Sequence, residues 1–328
     1  MTFKQITLSL ALAVSFLPST CLADAGGATY TDAKSAGPDF LMQGEYKGTV
    51  TTQDGDKVIG AQVIALGDGN FQIVGYHGGL PGDGWKHGDE LTKMEAKSVD
   101  GKIVTQSDKA DVKIVDGKIT VSIDGNTIAT LNKVQRQSPT LGAKPPSDAI
   151  VLFDGTSPEH FENGELVEGD LLAATNCVSK KKFGDHTLHI EFRTPFMPNA
   201  RGQGRGNSGV YIQGRFELQV LDSFGLDGKN NECGGIYTIA EPAVNMCLPP
   251  LSWQTYDIDF TSARYDGDGK KTSNAHVTIK HNGVLIHDDL ELPHGTPGYH
   301  GEGPEPDSLF LQNHGNPVAF RNIWVVEK

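Results

Sequence analysis

A carboxylate, a phenol and three amides fall on one side of two adjacent predicted strands between Asn207 and Asp222. Successive strand side chains alternate faces. In Phe216–Val220 the residues Phe216, Leu218 and Val220 therefore point one way while Glu217 and Gln219 point the other. Just before them, Val210 and Ile212 oppose Asn207, Tyr211 and Gln213. An ordinary half-solvated sheet carries Lys, Thr and Glu on its wet face, so this set suggests ligand contact, although it would also serve as a solvated face. Glu217 is the first candidate for an acid or base. A carboxylate partly desolvated on a concave sheet has its pKa raised toward neutrality, where proton transfer is efficient.

A second constellation lies at Leu309–Gly315, where Gln312 and His314 share one side of a strand that ends at a glycine turn. A histidine there can shuttle a proton near neutral pH, or simply satisfy the turn. Asp222 has the wrong parity for the Glu217 face. It stands at a strand end where a bulge or turn can re-aim it, or where it can cap Ser223-Phe224-Gly225. Trp253 can stack on a sugar ring or enter the core, and Arg321, flanked by apolar residues, either pairs with a buried carboxylate or faces a groove. The Tyr76–Trp85 loop carries an aromatic at each end and His77 inside. It can bind a sugar or fold over a barrel end with Trp85 as its plug. Asp266-Gly267-Asp268-Gly269 lacks the third ligand and distal Glu of a calcium loop and reads as a hairpin turn.

The elements that must position these residues are strands. The chain has 328 residues with 40 glycines and few helix-period runs, which points to an all-β protein and, at this length, to two domains. The N-terminus, with an apolar run from Ile6 to Leu17 and Cys21-Leu22-Ala23 after it, reads as a signal peptide over residues 1–23, against a lipid anchor on Cys21. A secreted or periplasmic location follows as an expectation. Residues 24–143 form a small antiparallel β domain, with strands expected at 44–52, 57–66, 70–76, 102–106, 110–115, 118–123 and 127–133 and tight Asp-Gly turns between several of them. Pro145-Pro146 marks a linker at 144–147, and residues 148–328 resume as a jelly-roll sandwich.

A formal charge of -13, with Lys180-Lys181-Lys182 as the only basic run, excludes a nucleic-acid partner of the usual electrostatic kind. No later segment reaches the length of a membrane-spanning helix. Gly202–Gly206 precedes a strand instead of opening a helix, so it is no dinucleotide fingerprint. In an oxidising compartment Cys233 and Cys247 are a disulfide candidate, leaving Cys177 free, and the cysteine spacings match no zinc motif.

Over roughly residues 150 to 328 the chain resembles the bacterial 3-keto-disaccharide hydrolase family, once a domain of unknown function. The blocks that carry the resemblance are Leu152-Phe153-Asp154-Gly155, Phe183–Phe192, Asn207–Tyr211, Phe216–Asp222, Trp253–Tyr256, His281-Asn282-Gly283 and Gln312–Gly315 running into Phe320–Ile323. The chain departs from the family pattern at Phe161–Gly164 and in a long insert, Asn199 to Gly206. The resemblance implies a concanavalin-like or laminin-G-like jelly roll, secreted or periplasmic, acting on an oligosaccharide or glycoside. It implies chemistry in which a 3-keto group acidifies C2–H, a base takes that proton, the C1 oxygen leaves and water adds. Glu217 is then base or acid with His314 as partner, while Asn207, Gln219 and Gln312 orient hydroxyls and stabilise an enolate-like oxygen. A divalent metal is an alternative stabiliser. A two-carboxylate glycosidase using Glu217 with Asp222 or Asp257 is the close variant. A non-catalytic carbohydrate-binding module and a surface scaffold compete with these readings, because a jelly roll serves all of them.

Overall fold

Asp116-Gly117 and Asp124-Gly125 adopt positive φ at both residues, the backbone that joins two strands in a tight hairpin. Turns of this kind organise the first half of the chain in a computed structural model that describes residues 27–106 and 110–328. The signal-peptide expectation, 1–23, lies outside the described residues. Eight strands, β1 (Gly44–Thr52), β2 (Gly55–Gly67), β3 (Asn70–His77), β4 (Leu91–Val99), β5 (Lys102–Gln106), β6 (Asp111–Val115), β7 (Lys118–Ile123) and β8 (Asn126–Val134), close into an antiparallel barrel through pairing of β1 with β8. Closure removes the sheet edges that an open hairpin array would expose. A six-residue helix, Gly37–Met42, precedes the barrel.

The second half is a two-sheet sandwich. Its strands are β9 (Ile150–Phe153), β10 (Phe161–Glu162), β11 (Leu166–Val167), β12 (Leu171–Ala173), β13 (Cys177–Phe183), β14 (His186–Arg193), β15 (Ser208–Ile212), β16 (Phe216–Val220), β17 (Gln254–Thr261), β18 (Ala275–His281), β19 (Val284–Leu292), β20 (Asp307–Leu311) and β21 (Ala319–Glu327). The larger sheet runs β11-β12-β21-β14-β17-β18-β19 with β9 paired to β21, and the smaller runs β10-β13-β20-β15-β16. Chain neighbours such as β14 and β15 lie in different sheets, the non-sequential order of a jelly roll. The inward sides of both sheets, among them Leu188, Ile190, Phe192, Val210, Ile212, Phe216 and Leu218, form one apolar core. The all-β jelly-roll sandwich behind a small antiparallel β unit is the class that turn spacing and strand alternation imply. Asp266–Gly269 is the turn of a short hairpin, its Asp266 Oδ1 accepting from the N–H groups of Asp268 and Lys270.

Barrel and sandwich share buried surface. Ile64, Val74, Tyr76 and Trp85 belong to the sandwich core, and Phe196 of the sandwich belongs to the barrel core. Trp85 is therefore buried against Tyr76, ring centroids 5.1 Å apart, on the outer wall of the barrel and does not plug its bore. The 199–206 insert is a docking loop. Arg201 donates to Leu66 O at 2.6 Å and Arg205 to Ala65 O at 3.2 Å. Arg136, leaving the barrel, pairs with Glu45, and Ser138 and Thr140 then bond Thr255 and Asp257 on the larger sheet. Residues 144–148 beyond are exposed.

Candidate active site

Glu217 and Tyr211 are directly opposite one another in the β15–β16 register, which brings both side chains to the outer side of the smaller sheet. The Tyr211 hydroxyl donates to Glu217 Oε2 at 2.8 Å, and Gln312 Nε2, following β20, donates to the Tyr211 oxygen at 3.2 Å. The amide, phenol and carboxylate thus form a directed chain. Glu217 Oε1 lies against the bare backbone of Gly209, where a Cβ would stand 2.7 Å from it. Glycine is required there by close approach. The main-chain N–H of Glu217 donates to Thr296 Oγ1 at 2.9 Å. Only 4% of Glu217 is exposed, and burial pushes its carboxyl up to about 7, against a smaller downward pull from the Tyr211 hydroxyl. Burial, and then the neighbouring carboxylate, push the Tyr211 phenol well above its ordinary value. The carboxyl can therefore hold or release a proton near neutral pH while the phenol stays a donor.

The chemically equipped side of β15 and β16 is as buried as the oily one. Residues 295–303 cover it. The Gly298 backbone packs on the Tyr211 ring, and the Arg215 guanidinium donates to the carbonyls of Gly301, Gly303 and Glu305. Within this cover Tyr299 is 40% exposed and stacks on Phe310 at 4.3 Å, beside Tyr211. Thr296, Tyr299 and Gly209 are site residues that alternation alone does not reveal. The first two arrive on a segment without strand period, about 80 positions from Glu217 in the chain. The Gln312 Oε1 atom is buried and has no hydrogen-bond partner. A buried acceptor left open costs free energy unless a ligand or water donates to it.

The other expected site residues are placed differently. Gln219 Nε2 donates to Asn207 Oδ1 at 2.7 Å, and Asn207 Nδ2 donates back to Gln203, so these two amides tie the docking loop to the sheet. Gln213 sits at positive φ in the β15–β16 turn, where its amide donates to Phe183 O and Ser262 and accepts from Arg215. Asp222 accepts from Arg205 Nε at 2.6 Å, and its other oxygen accepts from Phe224 N–H in the turn that follows. Asp257 lies on the larger sheet, bonded to His189 Nδ1 at 2.6 Å and to Thr140. Neither carboxylate is free to act with Glu217, so the two-carboxylate variant has no geometry here. His314 is exposed in the bend after Gln312 and makes no described bond. The turn is closed by Asn313, whose Oδ1 accepts from Gly315 N–H at 2.8 Å.

Trp253 precedes β17 of the larger sheet, half-buried, with the Arg321 guanidinium 4.0 Å and that of Arg193 5.2 Å from its ring centroid. Arg321 pairs with the fully buried Glu191 at 2.7 Å. Burial alone would raise the Glu191 carboxyl, but bonds from His189, Asn322, the Gly142 N–H and Arg321 together hold it at about 2. The disulfide candidates Cys233 and Cys247 are both buried in this structure, as free thiols in contact with one another. Cys233 Sγ also meets the Tyr256 hydroxyl at 3.2 Å, and Cys247 Sγ faces the Leu221 and Leu248 carbonyls. Among the described residues no group of three or more His, Cys, Asp or Glu side chains converges as a metal site, and no helix is long and apolar enough to cross a membrane.

The family model of the 3-keto-alpha-glucoside-1,2-lyase-like domain matches residues 148–326. The chain belongs to that family. The match spans the sandwich and leaves out the barrel. Among solved structures, a candidate glycosyl hydrolase from Parabacteroides distasonis is similar at 32% identity and a TM-score of 0.51, covering 56% of this chain and 85% of that one. A second candidate glycosyl hydrolase from the same organism shares 18% identity at a TM-score of 0.41, over 55% of this chain and 94% of that one. No functionally curated protein matches the chain.

Proposed function

We propose that the sandwich cleaves glycosides oxidised to a ketone at C3, with Glu217 moving the proton and the protein working outside the cytoplasm behind its leader-like N-terminus. The observation that carries this reading is the Glu217 carboxyl itself, buried, at about 7, with Oε2 held by Tyr211 and Oε1 bare against Gly209. The carboxylate takes the C2 proton through Oε1. The C2–H electrons form the enediolate with C3, and the C1–O bond breaks with loss of the second sugar or aglycone. Glu217, now neutral, returns a proton to the departing oxygen, and water then adds across C1 and C2. The open Oε1 of Gln312 accepts from a sugar hydroxyl. His314, two residues beyond Gln312, is the exposed second proton carrier of this proposal. Substrate entry requires residues 295–303 to shift from Tyr211, since they cover it in this structure.

The test is to incubate the protein with a 3-keto-glycoside and its unoxidised parent in deuterated water. Release of aglycone from the keto substrate only, with deuterium at C2 of the sugar product, supports the proposal. Cleavage without deuterium at C2 removes the elimination route. Binding of either sugar with no turnover moves the assignment to a carbohydrate-binding module.

A further inference from the structure

One half of the barrel bore is packed and the other is not. At the packed end Tyr46, Val63 and Phe71 on the strands meet Phe40 of the leading helix and Phe196 of the sandwich. At the opposite end Val50, Ile59, Ile73, Met94, Val121 and Leu131 surround a cavity of about 540 Å3. Protein interiors normally leave no such void, and an eight-stranded bore is either filled by its own side chains or able to hold one small ligand. Small residues keep this one open. Ala61, Gly75 and Ala129 line it, and a Cβ at Gly75 would stand 2.7 Å from Thr92 Oγ1.

The cavity wall is apolar except near the rim. Of the polar residues that border it, Tyr76 and Lys93 are engaged on the outer surface, Tyr76 with Gln62 and Trp85 and Lys93 with Asp227. Strand alternation puts His77, two beyond Gly75, and Thr92, paired with Gly75, on the inner side. Val50, Ile59, Met94 and Val121 are partly exposed, so the cavity opens to solvent there. We propose that the N-terminal barrel is a binding cup for one small amphipathic molecule, an aliphatic or aromatic body held in the bore and a hydroxyl or carboxyl head bonded at the Thr92 and His77 rim. The volume lies within the range of small-molecule sites, and dry apolar cavities take up apolar ligands. The cup is separate from the Glu217 site and does not depend on the sugar chemistry.

The test uses the full mature chain and N-phenyl-1-naphthylamine, whose fluorescence rises in apolar surroundings. Titration should saturate at one probe per chain, and decanol or decanoate should displace it, the stronger competitor naming the head group. Met94→Trp and Val50→Phe, at partly exposed wall positions, should each weaken probe binding by roughly tenfold or more because the new ring occupies the probe's volume. Hydrogen exchange on the unaltered chain supplies a readout that needs no variant. Decanol should slow exchange in β2, β3 and β8. Non-saturating probe adsorption, undiminished binding in both folded variants, or decanol protection confined to the sandwich would each overturn the proposal.

Discussion

Replacing Glu217 by Gln should slow catalysis and stabilise the fold, and the second effect should depend on pH in a way fixed by the site. The carboxyl is raised from 4.5 to about 7 by burial. Between those values the folded protein holds a proton that the unfolded chain has released, so stability is fully present below the unfolded pKa and is lost as pH rises through the folded one. A shift of this size corresponds to about 3 kcal/mol of destabilisation once the pH is well above 7. Gln keeps the shape and an acceptor for Tyr211 but has nothing to ionise. Urea unfolding at about pH 4, below the unfolded pKa, should therefore give nearly equal stabilities, whereas at about pH 8.5 the variant should be more stable by a few kcal/mol. Turnover of a 3-keto-glycoside should fall on the order of 10²-fold in the same variant, the usual loss when general acid/base catalysis is removed. A stability difference that is the same at both pH values would refute the claim that Glu217 is a desolvated, titrating group. Full activity in the variant would refute its role.

Tyr211→Phe removes the bond that pulls the Glu217 carboxyl down, so the ascending limb of the pH–rate profile should move to higher pH while the fold is kept; an unmoved limb would show that the phenol does not tune the acid. Gly209→Ala places a methyl in front of Glu217 Oε1 and should reduce kcat with substrate binding less affected, measured as a split between kcat and KM. Asp222→Ala leaves Arg205 buried without its partner and should cost about 3–5 kcal/mol in denaturant unfolding, whereas a neutral result would mean that solvent reaches Arg205. Protease should nick the exposed stretch 144–148, but the two pieces should still elute together, because Thr140, Arg201 and Arg205 bond across the barrel–sandwich boundary; separation of the pieces without denaturant would contradict this.

Local rules determined much of this protein. Asp-Gly pairs and alternation place most barrel strands, because a hairpin turn and its flanking faces are set by neighbours in sequence. The same parity puts Glu217 and Tyr211 on one side of their strands, and their pairing follows from the tight turn between them. Strand β4 escaped this reading because Lys93, Glu95 and Lys97 occupy one parity while the other mixes Thr92, Met94, Ala96 and Ser98, which dilutes its apolar signal. What alternation cannot supply is what covers a face. Amides at Asn207, Gln213 and Gln219 look like ligand donors in the sequence, yet each is consumed by a loop or turn that packs on it. Asp222 and Asp257 are claimed in the same way by Arg205 and His189. The long insert, which reads as a departure from the family pattern, exists to hold the barrel. The proton-holding state of Glu217 is likewise a tertiary result, since burial raises it and part of its surroundings, Thr296 on its main-chain N–H, comes from far away along the chain. Sequence sets which atoms a strand presents, and only long-range packing decides which of them water or a substrate can still reach.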